Sequence, residues 1–415
     1  MRHRLPPALR VRGFAFLWTA LLTNGFATQM MVVAIGWQVY SIRHRPLDLG
    51  LVGLAEFLPL PLLALPAGQL ADRVSRRTVA VVTAGLQVGI ALVLLAITEA
   101  GPHSIWPFLG VGLLAGVTSA IGTPAQRSLT PELVPTDLLA SAIALRSVAG
   151  QIGVVAGPAV GGVIFAIEPV AVYALAAALL VAAGAATLGL PRTISRSGGE
   201  RIDRESLVAG IRFITATRVV LGAILLDLVA VLFGDPIALA PVFAKTILEG
   251  GPVVLGLLRA APSAGALLAG LLITRRPLPY RAGPTLLVVV AIFGLATIVF
   301  GLSRSLPLSL VMLAITGFAD MLSMNIRATT VTMLTPLSLQ GRVSSVEWVF
   351  ISASNELGAF ESGAMAALLG ATRAVVLGGV LMIGFAASWP RLFPPLAKLG
   401  RLDELAPPEP EPEPV

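Results

Sequence analysis

Long apolar runs separated by short polar stretches follow one another along the whole chain. A helix needs about 20 apolar residues to cross the hydrocarbon core of a bilayer. Runs of that kind occur at Phe14–Tyr40, Leu47–Ala71, Thr78–Thr98, Ser104–Thr123, Leu138–Phe165 and Val170–Leu190. They continue at Val219–Phe243, Val254–Thr274, Gly283–Leu302, Leu306–Asn325, Val343–Leu369 and Ala374–Trp389. The pattern predicts an all-α membrane protein of twelve transmembrane helices. The first run is far longer than a signal-peptide core and lacks a small-residue cleavage site, so no cleavable signal is expected.

The longest polar connection, Pro191–Arg218, separates six runs from six. It predicts a bundle over residues 1–190, a cytoplasmic linker over 191–218, a second bundle over 219–392 and a tail over 393–415. Within the linker, Arg201–Thr217 reads as a solvated connection or as a short amphipathic helix on the membrane surface. The tail ends in PPEPEPEPV, where repeated proline and like charge favour an extended, disordered segment.

Composition agrees with a bilayer. Hydrophobic residues make up 56% of the 415 positions and charged residues only 12%, about half the charge of a soluble chain. A soluble fold of this size would lack the polar surface to cover itself. The net charge of +7 is explained by where the basic residues lie. One set of connections holds Arg2, Arg4, Arg10, Arg12, Arg73, Arg76, Arg77, the linker arginines, Arg275, Arg276, Arg281, Arg327, Arg342, Arg391, Lys398 and Arg401. The opposite set holds only Arg43, Arg45, Lys245, Arg304 and Arg373. Positively charged loops stay on the cytoplasmic side, so both termini are expected there. The basic balance is a topology signal and gives no reason to expect nucleic acid as a partner. With no cysteine and with His3, His44 and His103 all outside the apolar runs, thiolate chemistry is excluded and no metal or cofactor is expected.

The two halves share short patterns at a common offset. Gly68-Gln69-Leu70 and Gly270-Leu271-Leu272 each precede a basic turn, and Leu129-Thr130-Pro131 matches Leu334-Thr335-Pro336. Both pairs lie about 200 residues apart, as expected of the internal repeats from which many transporters are built. Charge is unevenly spread among the runs. A charge at mid-bilayer costs about 2.5–3.5 kcal/mol on insertion scales, so each should face a partner or a cavity. The third, sixth, ninth and twelfth runs contain none. Charges appear as Glu56, Arg146, Asp227, Asp235, Arg259, Asp320, Glu347, Glu356 and Glu361, and the first run carries Asn24, Gln29 and Gln38. From these, Glu56, Asp235, Glu356, Glu361, Asn24, Gln29, Arg146 and Arg259 form the candidate proton or substrate site. Asp235 precedes Pro236, which removes a backbone donor and can open the helix there. Glu356 and Glu361 are about 140° apart on a regular helix, so they share a cavity only if Gly358 marks an irregularity.

Two motifs carry a resemblance. Gly68–Arg77 (GQLADRVSRR) resembles the signature turn between the second and third helices of the major facilitator superfamily, through Gly68, Asp72, Arg73, Arg76 and Arg77. Ser75 departs from the family's second glycine. Gly153–Gly162 (GVVAGPAVGG), with Gly150 one turn before, resembles the superfamily's antiporter motif through Gly153, Gly157, Pro158, Gly161 and Gly162. The resemblance covers nearly the whole chain and is strongest to the branch of the enterobactin exporter and related secretion effectors. Many drug-exporting relatives carry an arginine inside the fourth helix; here the candidate is Arg127, at or beyond its cytoplasmic end.

The resemblance implies two six-helix bundles that rock about a midplane site, export of a small molecule (siderophore, drug or amphipathic metabolite), and proton antiport by a monomer. An importer or facilitator on the same fold is the first alternative. An intramembrane enzyme such as an acyltransferase would need a convergent nucleophile or base, for which the runs offer no histidine or cysteine. A receptor or scaffold leaves the intramembrane acids unexplained. No phosphate-binding loop of the Walker type is present. The Asp72 turn is expected to act as a cytoplasmic gate. Asp72→Asn should therefore slow transport by at least tenfold while membrane insertion stays near normal, because the arginines still fix topology. Transport assays on variant matched for expression check this, and wild-type rates would defeat it.

Overall fold

The computed structural model describes residues 6–63, 74–191, 204–275 and 281–405, and every regular element among them is helical. Six long helices come first: α1 Arg12–Arg43, α2 Pro46–Phe57, α3 Arg76–Glu99, α4 Trp106–Leu133, α5 Leu139–Ile167 and α6 Pro169–Leu188. A connecting helix, Arg204–Ala216, follows. Six more complete the chain: α7 Arg218–Gly234, α8 Pro252–Ile273, α9 Ala282–Leu302, α10 Leu306–Leu334, α11 Gln340–Leu369 and α12 Ala371–Leu392. Among the described residues, 11 helical segments are long and apolar enough to cross a membrane. The remaining long helix is α11, 30 residues that include Glu347, Glu356 and Glu361.

Local sequence explains several helix starts. Proline stands in the first turn of α2, α4, α6 and α10, where its missing N–H and fixed φ do no harm. Ser75, which replaces the family glycine, is the N-cap of α3 and accepts a bond from the Thr78 amide at 3.2 Å. Glu168 caps α6 through the Val170 amide at 3.4 Å. α2 meets a turn at Leu58, just before Pro59 and Pro61.

The helices pack into two compact units. The first comprises Met1–Gly199 with Ile237–Ser263, the second Glu200–Pro236 with Ala264–Val415. In the first unit α1 packs against both α5 and α6, and α3 packs on α6 and α4. Its core includes Met30, Leu94, Phe108, Tyr173 and Leu180. A buried hydrogen-bond chain links three helices: Tyr173 Oη donates to Gln38 Oε1 at 2.7 Å, and Gln38 Nε2 donates to Thr98 Oγ1 at 2.9 Å. The segment Pro236–Ile247, a 3-10 turn that becomes a π-helix at Phe243–Ile247, docks on the C-terminal end of α1. Lys245 Nζ donates to Ser41 Oγ at 2.6 Å and lies 5.1 Å from the Trp37 ring centroid. Tyr40 Oη and Thr246 Oγ1 are 2.8 Å apart.

In the second unit α9 packs on α12 and α10. A Cβ at Gly294 would fall 2.7 Å from the Gly379 carbonyl, so α9 and α12 meet main chain to main chain. Trp389 Nε1 donates to the Gly222 carbonyl at 3.2 Å, tying α12 to α7. The linker segment is helical over Arg204–Ala216, and Gly210 brings it against the Arg342 carbonyl of α11.

Several boundaries differ from expectation. α4 and α10 run about three turns and two turns past the predicted ends. Arg127 therefore lies within α4, and Arg327, counted above as a cytoplasmic loop charge, lies within α10 and is 7% exposed. Hydropathy ended both runs where polar residues become frequent, although the backbone continues as helix. α7 stops at Gly234, with Asp235 extended ahead of Pro236, as the proline predicts. Gly358 is no irregularity. It sits inside a continuous α11, where a Cβ would fall 2.7 Å from the Val231 carbonyl of α7. The exposed residues in the middle of α3, α6, α9 and α12 are apolar, among them Leu92, Val181, Leu295 and Val380, as lipid contact demands.

The Tyr173 chain gives a test. Tyr173→Phe removes one interhelical hydrogen bond and leaves the Gln38 carbonyl short of a donor. Such bonds average about 0.6 kcal/mol in membranes and reach about 1.7. A loss of about 1 kcal/mol in detergent unfolding titrations is expected, with a larger loss for Gln38→Leu.

Candidate functional site

In the first unit, the α5 glycines set the distance between helices. A Cβ at Gly153 would fall 2.9 Å from the Gly25 carbonyl carbon, at Gly157 2.7 Å from Gln29 Cβ, and at Gly161 2.8 Å from Met30 Cα. These three residues form one seam against α1. Gly162 turns the other way: its Cβ would fall 2.5 Å from the Pro252 carbonyl, and a Cβ on Gly256 of α8 would fall 2.5 Å from the Pro158 carbonyl. The antiporter-type motif is thus a two-sided contact. Gly150 has open space where a Cβ would be, so it belongs to neither side.

Glu56 lies on α2 where α4 presses against its main chain. A Cβ on Gly116 would strike the Glu56 carbonyl, and one on Gly112 would fall 3.3 Å from the Val52 carbonyl. The half-buried Glu56 and Arg259 are close enough to act on each other electrostatically. The structure thus brings together two of the sequence-predicted candidates. Arg146 points elsewhere, with Nη1 donating to the Thr130 hydroxyl at 3.3 Å and the Gln126 carbonyl at 3.5 Å, both on α4. Gln29 packs under Gly157. Asn24 lines a hollow shared with Gln87, Gln126 and Thr187, and its Oδ1 is buried without a hydrogen-bond partner among the described residues.

Of the expected gating turn, Gly68, Asp72 and Arg73 lie outside the described residues. The other two anchor the start of α3. Arg76 forms an ion pair with Glu132 of α4. Arg77 Nη2 donates to the Leu188 carbonyl at 2.6 Å, where the α6 C-terminus presents unsatisfied carbonyls and negative partial charge.

The second unit holds a charged group that sequence reasoning did not assemble. Arg327 of α10 forms an ion pair with Asp227 of α7, and its Nε donates to the Ser323 carbonyl at 3.3 Å. Asp320 of α10 lies in the field of Arg327, Asp227 and Asp235, and Glu347 of α11 in that of Asp227 and Arg327. The Asp235 carbonyl accepts from Ser362 Oγ at 3.5 Å. Glu361 is half-buried on α11, while the Glu356 side chain lies outside what the structure describes. A signal was present in the sequence. Thr316, Asp320, Ser323, Arg327 and Thr330 recur every three or four residues and form a polar stripe along one face of α10. The stripe is lost when the run is ended at Asn325.

Among the described residues, eleven membrane-length helices and paired, partly buried charges describe a polytopic membrane protein, and one comparison decides its kind. The profile of the transmembrane secretion effectors matches residues 5–410. The chain belongs to that family. Curated relatives include the enterobactin exporter of Shigella boydii serotype 18, 29% identical over 348 residues, or 82% of each chain. The enterobactin exporter of Escherichia coli O139:H28 is 28% identical with the same coverage. Among solved structures, a bacterial homologue of the human lysosomal transporter Spinster, in an inward-facing and unoccupied conformation, superposes with a TM-score of 0.73. It is 16% identical and is matched over 97% of this chain and 100% of that one. The nucleoside transporter NupG gives 0.70 at 13% identity, covering 92% and 99%. At such identities these two show the fold alone. The protein is a multi-pass membrane transporter of the major facilitator type and not an enzyme.

The α5 seams generate a prediction. Gly157→Leu would push α5 from α1 by the width of a side chain, so loss of transport or of folded protein is expected. Gly150→Leu, which meets open space, should be tolerated. Monodispersity and transport assays on both variants check the contrast, and full activity of Gly157→Leu would refute it.

Proposed function

We propose that this secretion-effector family member exports a small amphipathic molecule, a siderophore, drug or metabolite, across the cytoplasmic membrane in exchange for protons. In this reading both termini are cytoplasmic, and two six-helix halves, residues 1–190 and 219–392, alternate the exposure of a midplane site. The observation that carries export is the α5 motif. Its glycines occupy tight helix-packing positions, in keeping with the antiporter-type motif they resemble. The likeness to enterobactin exporters over most of both chains supports a siderophore-sized cargo. A screen of inverted vesicles for proton release on adding substrate tests the reading, with a catecholate siderophore and an amphipathic dye as first probes. Uptake into right-side-out vesicles, without proton movement in inverted ones, would instead make the protein an importer or facilitator.

Within this reading Glu56 and Arg259 serve the cargo. The two side chains lie in each other's field, and an opposed pair of charges suits a polar group of the substrate. Asp235, Glu356 and Glu361 stay as carriers proposed from their place in the spans. Glu56→Gln and Arg259→Gln should each slow proton-driven transport and substrate counterflow together, by about tenfold or more. Counterflow needs no net proton movement. A Glu56→Gln protein that loses only proton-driven transport would make Glu56 the carrier.

A further inference from the structure

The polar stripe of α10 contains a carboxylate for which the nearby cation is already engaged. Arg327 is more than nine-tenths buried and paired with Asp227. Asp320, seven residues earlier on the same face, accepts no hydrogen bond and joins no ion pair among the described residues. Buried Thr316 and Ser323 flank it one turn to either side, yet its own side chain is accessible. The charged groups acting on Asp320 are Arg327 on its own helix and Asp227 and Asp235 on and after α7. Glu347 on α11 is linked to the same Asp227 and Arg327. Of the other second-unit segments near α10, residues 264–273 and 282–302 carry no charged side chain, and Asp403 and Glu404 are engaged by Arg401. Of the charged groups acting on Asp320, Arg327 is the cation, and it is already paired with Asp227.

Arg327 is also placed to change partner. Helix side chains lean toward the N-terminus, and the Nε bond to the Ser323 carbonyl shows that this one does. It points up the stripe toward Asp320, whose backbone is about 10 Å away along the axis by helix rise.

We propose that Asp320 is a proton-binding carboxylate, and that Arg327 sets its occupancy by moving between Asp227 and Asp320. With Arg327 on Asp227, Asp320 takes a proton from water onto a carboxylate oxygen. When Arg327 swings to Asp320, that proton returns to water and Asp227 is left to be hydrated or protonated in turn. The assignment rests on the proton-antiport reading for its role in transport, and on the α10 geometry alone for the binding of the proton.

Infrared titration of the full-length protein in liposomes reads the site without any substrate. The wild type should show a carboxylic-acid carbonyl band that disappears as pH rises, and Asp320→Asn should remove it. Asp320→Glu, which keeps a carboxyl nearby, should retain a band with a displaced midpoint. Asp227→Asn releases Arg327 to Asp320, so the midpoint should move at least one pH unit lower, a tenfold loss of proton affinity. A band that survives Asp320→Asn, or a midpoint unmoved by both Asp227→Asn and Asp320→Glu, would overturn the proposal. Proton-driven export by the wild type is measured separately. Its absence, with the titration as expected, would end the antiport reading and leave the proton site standing.

Discussion

A bilayer offers no water to a polar group, so each one must find its partner within the protein. That constraint explains most of what the helices do here. It puts the backbone into helix almost everywhere, and it draws Tyr173, Gln38 and Thr98 into one chain of hydrogen bonds. It also accounts for the way charges are held. Arg327 is buried against Asp227, Arg76 is paired with Glu132, and Glu56 lies in the field of Arg259. At roughly 2.5–3.5 kcal/mol per uncompensated charge, a chain of marginal stability tolerates few exceptions. Asp320 is the exception on which the proposed proton site rests.

Helix packing meets the same solvent in a different way. Lipid tails are as apolar as leucine, so burying an apolar side chain between two spans gains little over leaving it in lipid. Close approach is what remains, and the glycines provide it: α5 on α1, α5 on α8, α4 on α2 at Glu56, and α9 on α12. This is why 42 glycines do not unravel the helices. At many sites the missing side chain is the contact.

Much of this was legible in the sequence. Apolar run length gave the all-α architecture, proline marked the end of α7 at Asp235, and the two motifs led to the family. What stayed hidden had identifiable physical causes. Arg327 looks like a loop anchor because arginine near a run's end usually is one, and only its pairing with Asp227, a hundred positions earlier, shows that it is buried. Ending α10 at Asn325 cut the polar stripe before its periodicity was evident. Glu56 could be placed in a span but not against Arg259, since partners so distant in sequence are set by tertiary packing. Ser75 reads as a defect in a glycine motif until it is seen capping α3.

The reciprocal contact of Gly162 with Gly256 separates two kinds of evolutionary freedom. Both sides of it are main chain, with carbonyls at Pro158 and Pro252 seated where side chains would be. Such a joint does not depend on the identity of the residues around it, so neighbouring positions on α5 and α8 can diversify without disturbing how the two helices meet. Arg259 lies less than one turn from Gly256. A lineage could therefore rewrite the residues that face a cargo while the joint beneath them stays constant, and chemically unrelated molecules could come to be handled by the same framework.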